Sequence, residues 1–410
     1  MSSSVIGNAP LHETISQAEA LKLVKHVSGQ DGQLVRYHLR LYNDDRIKKN
    51  IGYFQLLLET KLRESSIIEQ HSFLVKTISC NNSIAEAEKR VFEHEFNFFH
   101  EIVPQLTKHV DVGRWLPKCF LAKRDTLVFE NLTTKGYRTR PHMFDEETTR
   151  SALRTVARLH ASSILAETRL ERSLYELYPN AFVDMNFTGH GKNESWYLAA
   201  VNAVIKVADN LGLNSSKITA VFDRLQQIAT EESEAPLDRR TKWKVASHGD
   251  LCENNMMFDN SQPPNCILIN FQSVRYVSHA QDILLLLHLC TTRAFRREFE
   301  QKLIEFYYST LRTLSYKYNP AARVLPLDQL KSEIEKERLR AIASAMIYLS
   351  STLLDKRFAD DLFENSDKHD KLRYYDRGQQ VIELMQRDDI YRQRLEESVK
   401  ELVDYSQQYV

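Results

Sequence analysis

The chain has 410 residues, with 55 Lys and Arg set against 55 Asp and Glu, 42% hydrophobic residues and only 11 glycines. With no net charge there is no global field to gather nucleic acid or an anionic membrane surface, so polyanion binding has no support from composition. The length allows two packed units with separate cores, and the composition is that of a helix-rich globular protein rather than a disordered or repetitive one.

The opening residues, Met1 to Thr14, have neither the basic start nor the apolar core of a secretory signal. Five scattered cysteines (Cys80, Cys119, Cys252, Cys266, Cys290) form no CxxC pair, so reduced thiols and a cytoplasmic location are expected. Strand signals follow at Tyr37 to Tyr42, Tyr53 to Glu59, Phe73 to Ile78 and Thr126 to Phe129, which predicts an antiparallel sheet. Between the third and fourth, Phe92, Phe96, Phe99 and Val103 recur at helical spacing, which predicts one helix on that sheet. After Leu132 the pattern turns helical, beginning with the stripe Leu153, Ala157, His160 and Ile164. The boundary is therefore set at 130, with a sheet-bearing unit over 1–130 and a mainly helical one over 131–410. Ile283 to Leu287, extended to Cys290, is far shorter than the ~20 residues that span a bilayer and predicts a buried helix, with no membrane partner. A long helix is predicted from near Asp328, read as an N-cap after Pro326, through Leu339, Ile342, Met346, Leu349 and Leu353. The charged segment Arg357 to Asp370 reads as a surface loop, with more helices to Val410.

The most informative stretch is SHGDLCENNMMFDNSQPPNCILINFQ, Ser247 to Gln272. Two short apolar runs, Met256 to Phe258 and Cys266 to Ile269, flank a Pro-Pro and Asn-rich turn, which predicts a hairpin. Its open ends bring Asp250, Asn255 and Asn270 together, an acid and two amides within reach of one metal ion. Phosphoryl transfer needs such a set: a carboxylate for the acceptor hydroxyl and oxygen ligands for Mg2+. Taken alone, the same residues read rather as turn formers, since Asp, Asn and Gly dominate turns.

The order HGDxxxxN, then NFQ, resembles the catalytic loop and metal segment of aminoglycoside and choline kinases, and most closely the insect ecdysteroid-kinase-like family, of which a juvenile-hormone-inducible type of member is one candidate. FLVKT at Phe73, PKCFLA at Pro117, FENLTTKGYR at Phe129 and VARLHA at Val156 resemble further family segments in family order. The resemblance implies an α+β, bilobal protein-kinase-like fold, with a small antiparallel-sheet N-lobe and a large, mainly helical C-lobe. It implies Asp250 as catalytic base, Lys76 on the nucleotide phosphates with Glu95 as its partner, and Glu130, Asn131 and Leu132 as the adenine-binding hinge. Asn255 and Asn270 would hold the metal, and His248 and Asp282 would brace the loop. ATP and Mg2+ are the implied cofactors and a small-molecule alcohol such as an ecdysteroid the implied acceptor; a choline-like or aminoglycoside-like cationic acceptor is the further alternative.

The residues support part of this independently. Glu95 sits on the edge of the Phe92, Phe96, Phe99 face and Lys76 lies in an apolar strand, so each wants an opposite charge; each alone also reads as a solvated boundary residue. His160 reads as a structural core histidine. Two departures stand out. Asn270 replaces the family's Asp, which weakens metal binding or abolishes catalysis and opens a second reading, a pseudokinase that binds ligands without turnover. The phosphate-covering turn, NDDRIKKNIGY, keeps only Gly52, with Lys48 and Lys49 as electrostatic compensation or plain solvated residues. Cys252, where the motif has Trp, reads as a buried inert thiol, with a redox role as the alternative.

Overall fold

The structure is a computed structural model that describes residues 14–29, 32–42, 51–62, 68–78, 86–140, 143–183, 192–353 and 371–407. The turn carrying Lys48 and Lys49, the loop expected over 357–370, Cys80 and the first 13 residues lie outside the described residues. Contacts divide the chain into one unit of residues 1–100 with 116–138, and a second of 101–115 with 139–410.

The first unit is a five-stranded antiparallel sheet in the order β1-β2-β3-β5-β4. Its strands are β1 (Gly32–Leu41), β2 (Ile51–Leu62), β3 (Ile68–Ile78), β4 (Cys119–Ala122) and β5 (Thr126–Glu130). Gly52, expected in a turn, lies inside β2 opposite Thr77. Alternation sends Phe73 and Val75 to one face and Lys76 to the other. On the first face they pack with Leu56, Leu58 and Val128 against Ile15, Ala20, Leu23 and Val24. Those last residues belong to or adjoin a helix, Gln17–Ser28, that the apolar stripe reading did not single out. Its signal is a capping box: Ser16 accepts from the Glu19 N–H and the Glu19 carboxylate accepts from the Ser16 N–H. The predicted helix, Glu86–Asn97, carries Glu95 to Lys76. One helix was expected with the sheet; among the described residues there are two, Gln17–Ser28 and Glu86–Asn97.

The second unit is mainly helical. Every residue of the His279–Cys290 helix is buried, as its apolar run requires. It packs on the Leu327–Thr352 helix, while the Arg293–Tyr318 helix lies along the Glu146–Leu170 helix. The long helix begins one residue before Asp328, at Leu327, so Asp328 sits in its first turn and does not cap it. The extended backbone of Pro326 takes the cap position, which leaves the Asp328 carboxylate to meet the positive end of the helix dipole. The unit also has two short ladders: β6 (Lys244–Ser247) with β9 (Arg275–Ser278), and the predicted hairpin β7 (Met256–Phe258) with β8 (Cys266–Leu268). Asp259 closes the hairpin turn by accepting from the Ser261 N–H at 3.1 Å and the Asn265 N–H at 2.8 Å. Among the described residues, no helix is long and apolar enough to cross a membrane.

The C-terminal helix, Asp389–Ser406, clasps the end of His279–Cys290. Buried Arg394 donates to the carbonyls of His288 (3.1 Å), Leu289 (3.3 Å) and Thr291 (3.1 Å), groups that a helix end leaves without partners. Arg296 donates to the Thr291 carbonyl at 2.7 Å and pairs with Glu401. Arg394→Ala removes the Arg394 bonds to the His288 and Leu289 carbonyls and leaves Glu397 without its 2.9 Å partner; we expect a loss on the order of 3 kcal/mol, read as a lower urea midpoint for this unit.

Glu167, near the end of the Glu146–Leu170 helix, gives a second expectation. Burial pushes its carboxyl up to about 7, even though it accepts the Leu174 N–H. The native state then holds a proton that the unfolded chain releases, so this group makes stability fall as pH rises from about 4.5 to about 7. Glu167→Gln should flatten that part of the stability profile, measured as melting temperature across the range. An unchanged slope would count against the assignment.

Candidate active site

The chain between β6 and β7 carries the HGD segment, and its shape is dictated by Gly249. With φ at +78°, a Cβ there would lie 2.1 Å from the Ser273 carbonyl oxygen, so only glycine fits. The tight turn points the backbone N–H groups of His248 and Gly249 the same way, and both donate to buried Asp282, at 2.7 and 2.9 Å. Asp282 is fixed in turn by His160, whose Nε2–H donates to it at 3.2 Å, while His160 Nδ1 lies 2.6 Å from the Tyr307 hydroxyl and accepts from it. Burial pushes the Asp282 carboxyl up, but the hydrogen bonds it accepts from His160 and the Gly249 N–H outweigh it, and the group is held below its usual value. It is a buried anion with a full set of donors.

His248 is the second brace. Its Nε2–H donates to the Ile269 carbonyl at 2.9 Å and its Nδ1 accepts the Asp250 N–H at 3.3 Å, which ties the loop to the strand end just before Asn270. The Phe271 ring packs between His248, 4.8 Å between centroids, and Trp115, 5.8 Å. Trp115 also accepts the Leu268 N–H at 2.9 Å. Asn270 is thereby held with φ at +62°, a conformation Asn tolerates better than most residues.

Asp250, Asn255 and Asn270 come together as the hairpin predicts. Asn255 Nδ2 donates to the Asp250 carbonyl at 2.8 Å, and Asn270 Nδ2 donates to Asn255 Oδ1 at 2.8 Å. The Oδ1 of Asp250 is buried and has no hydrogen-bond partner among the described residues. This orphaned carboxylate oxygen suits a group that accepts a proton from a bound hydroxyl. The set does not fit a divalent cation shared by Asn255 and Asn270: the oxygen of one is turned to the nitrogen of the other, so two oxygens do not converge. Among the described residues, no group of three His, Cys, Asp or Glu could hold a metal ion.

In the first unit, Lys76 is 1% exposed and forms an ion pair with Glu95, 1% exposed. Burial opposes the Lys76 charge, but the Glu95 carboxylate raises its pKa above the ordinary value, so it stays protonated. The Tyr53 ring, its cross-strand neighbour, covers the ammonium at 5.4 Å from the ring centroid. The side chains of Glu130 and Asn131 serve the unit itself. Glu130 Oε1 accepts the Lys118 N–H at 2.7 Å and Oε2 pairs with Lys135, while Asn131 donates to Ser72 at 2.9 Å and accepts the Thr133 N–H at 3.2 Å. The Leu132 carbonyl accepts the Tyr137 N–H at 3.1 Å. Cys252 is buried, and burial and nearby Asp250 raise its thiol well above the usual value, which makes it inert at neutral pH. Sequence reasoning passed over Trp115 and named Tyr53 only as the start of a strand, not as the cover of the Lys76 ammonium.

A five-stranded sheet with a buried lysine–glutamate pair, and a helical unit with a braced HGD loop, define a kinase-like phosphotransferase architecture. The model of the ecdysteroid kinase-like family matches residues 53–319, more than half of the chain, and the chain belongs to that family. No curated protein matches it in sequence. Among solved structures, it is similar to an ethanolamine kinase from Plasmodium vivax (12% identity over 91% of this chain and 92% of that one, TM-score 0.42). It is also similar to a microcompartment-associated aminopropanol kinase (13% identity, 87% and 98%, TM-score 0.43) and to macrolide 2'-phosphotransferase from Brachybacterium faecium (11% identity, 85% and 97%, TM-score 0.35).

The glycine geometry can be tested against an internal control. Gly136 also has a positive φ, +83°, but no atom lies within 4 Å of its added Cβ. Gly136→Ala should cost only the backbone term, about 1 kcal/mol, whereas Gly249→Ala adds a clash with backbone and should cost several times as much. Equal melting temperatures for the two variants would contradict the account of the loop.

Proposed function

We propose that the chain is a cytoplasmic, ATP-dependent phosphotransferase that moves the γ-phosphoryl group to a hydroxyl of a small, lipophilic alcohol such as an ecdysteroid. The observation that carries the reading is the orphaned Oδ1 of Asp250, held by a loop whose N–H groups are both committed to Asp282. In the reaction the acceptor oxygen bonds to the γ-phosphorus, the bond to the leaving ADP oxygen breaks, and the hydroxyl proton passes to Asp250. The sheet-bearing unit is read as the nucleotide-binding lobe and the helical unit as the acceptor-binding lobe. Lys76, oriented by Glu95, places positive charge on the nucleotide phosphates, and backbone groups of Glu130 to Leu132 hold the adenine. The acceptor class follows the family to which the chain belongs.

A second reading, a pseudokinase that binds nucleotide or alcohol without turnover, is favoured by one observation: Asn270 stands where the family motif has the acid. The experiment is ATP-dependent phosphorylation of a panel of lipophilic alcohols, ecdysteroids first. We expect turnover by the native chain and a loss of roughly 10²–10⁴-fold in Asp250→Asn, the usual scale of general-base catalysis. Equal turnover in that variant removes Asp250 from the mechanism, and nucleotide binding with no turnover on any alcohol favours the pseudokinase.

A further inference from the structure

We propose that the side-chain amide of Asn270 takes the place of a divalent cation in this loop, so that Asn255 and Asn270 are closed on each other by a hydrogen bond and bind no metal of their own. The starting point is polarity. A side-chain amide can be turned either way, and only its partners decide which end is nitrogen. The Asp250 carbonyl can only accept, so Asn255 must turn its Nδ2 toward it, at 2.8 Å. That fixes Asn255 Oδ1 toward residue 270, where it meets Asn270 Nδ2 at 2.8 Å. Residue 270 must therefore donate.

A carboxylate there cannot donate. It would set two oxygens face to face at hydrogen-bond separation, an arrangement that holds only with a cation between them. Neither residue is free to swing away. Ile269 donates its N–H to the Asn255 carbonyl at 3.0 Å, and Phe271 is packed against His248 and Trp115. An amide at this position thus completes the hydrogen bonding that Asn255 begins. Replacing an acid by an amide here exchanges an ionic clasp for a neutral one, and the loop that carries Asp250 is assembled without a metal ion.

The nucleotide consequence rests on the phosphotransferase reading: ATP bound by this chain should not require a divalent cation at the Asn255–Asn270 pair. The clasp itself is tested without nucleotide, by thermal unfolding of the full chain and of Asn270→Asp in EDTA, Mg2+ and Mn2+. The native chain should melt within about 1 °C in all three, whereas the variant should melt about 2–4 °C lower in EDTA and recover with millimolar Mn2+. A native chain stabilised by Mn2+, with the gain lost in Asn255→Ala, overturns the proposal, and so does a variant as stable as the native chain in EDTA. Should the variant not fold, paramagnetic titration of the native chain with Mn2+ decides. No tightly held ion is expected; one ion per chain, released by Asn255→Ala, refutes the clasp. A parallel ATP titration keeps the two ideas apart: failure to bind ATP under every condition counts against the phosphotransferase reading, while the melting comparison still decides the clasp.

Discussion

Two backbone N–H groups pointing at one buried carboxylate set the form of the candidate site. Asp282 takes the His248 and Gly249 N–H groups together, and this is possible only because Gly249 has no side chain to strike Ser273. A buried anion is costly unless fully hydrogen-bonded, and here His160 supplies the remaining donor while Tyr307 fixes the tautomer of His160. The same helix that begins with this acid ends under Arg394 and Arg296, so both of its termini are held by charged groups. Loop geometry is thus anchored to a helix whose every residue is buried.

The first unit solves a parallel problem with the opposite sign. Strand alternation sends Lys76 away from the Phe73 and Val75 face, into surroundings where an ammonium needs a carboxylate. Glu95 provides it, and the Tyr53 ring covers what remains. In both units a buried charge has its orientation fixed by groups distant in sequence, which is how a functional side chain keeps one geometry.

Much of the fold could be read along the chain because it depends on local periodicity. The strands around Tyr53, Phe73 and Thr126, the Phe92 helix, the apolar Ile283 helix and the Met256 hairpin all follow from spacing and turn residues. Less legible were the features made by shape or by distance. β4 has four half-buried residues with no alternation, whereas Gln17–Ser28 was passed over although its Ala20, Leu23, Val24 spacing and its Ser16–Glu19 box are both usable signals. The resemblance singled out Asp250, Asn255, Asn270 and Asp282, but no spacing rule joins His160 to Asp282 and Tyr307, 122 and 147 residues away. Nor does a count of carboxylates disclose that residue 270 must donate; that follows only once the Asp250 carbonyl has fixed the orientation of Asn255.

Hydrogen exchange at the Asp282 bracket is the most direct measure of whether the loop is held as described. The amides of His248 and Gly249 are bound to a buried carboxylate rather than to water, and they should exchange as slowly as those of the Ile283 helix, through opening of the whole unit. Rapid exchange of these two amides in an otherwise protected second unit would mean that Asp282 does not hold the loop, and the account of Asp250 as a pre-set base would fail with it.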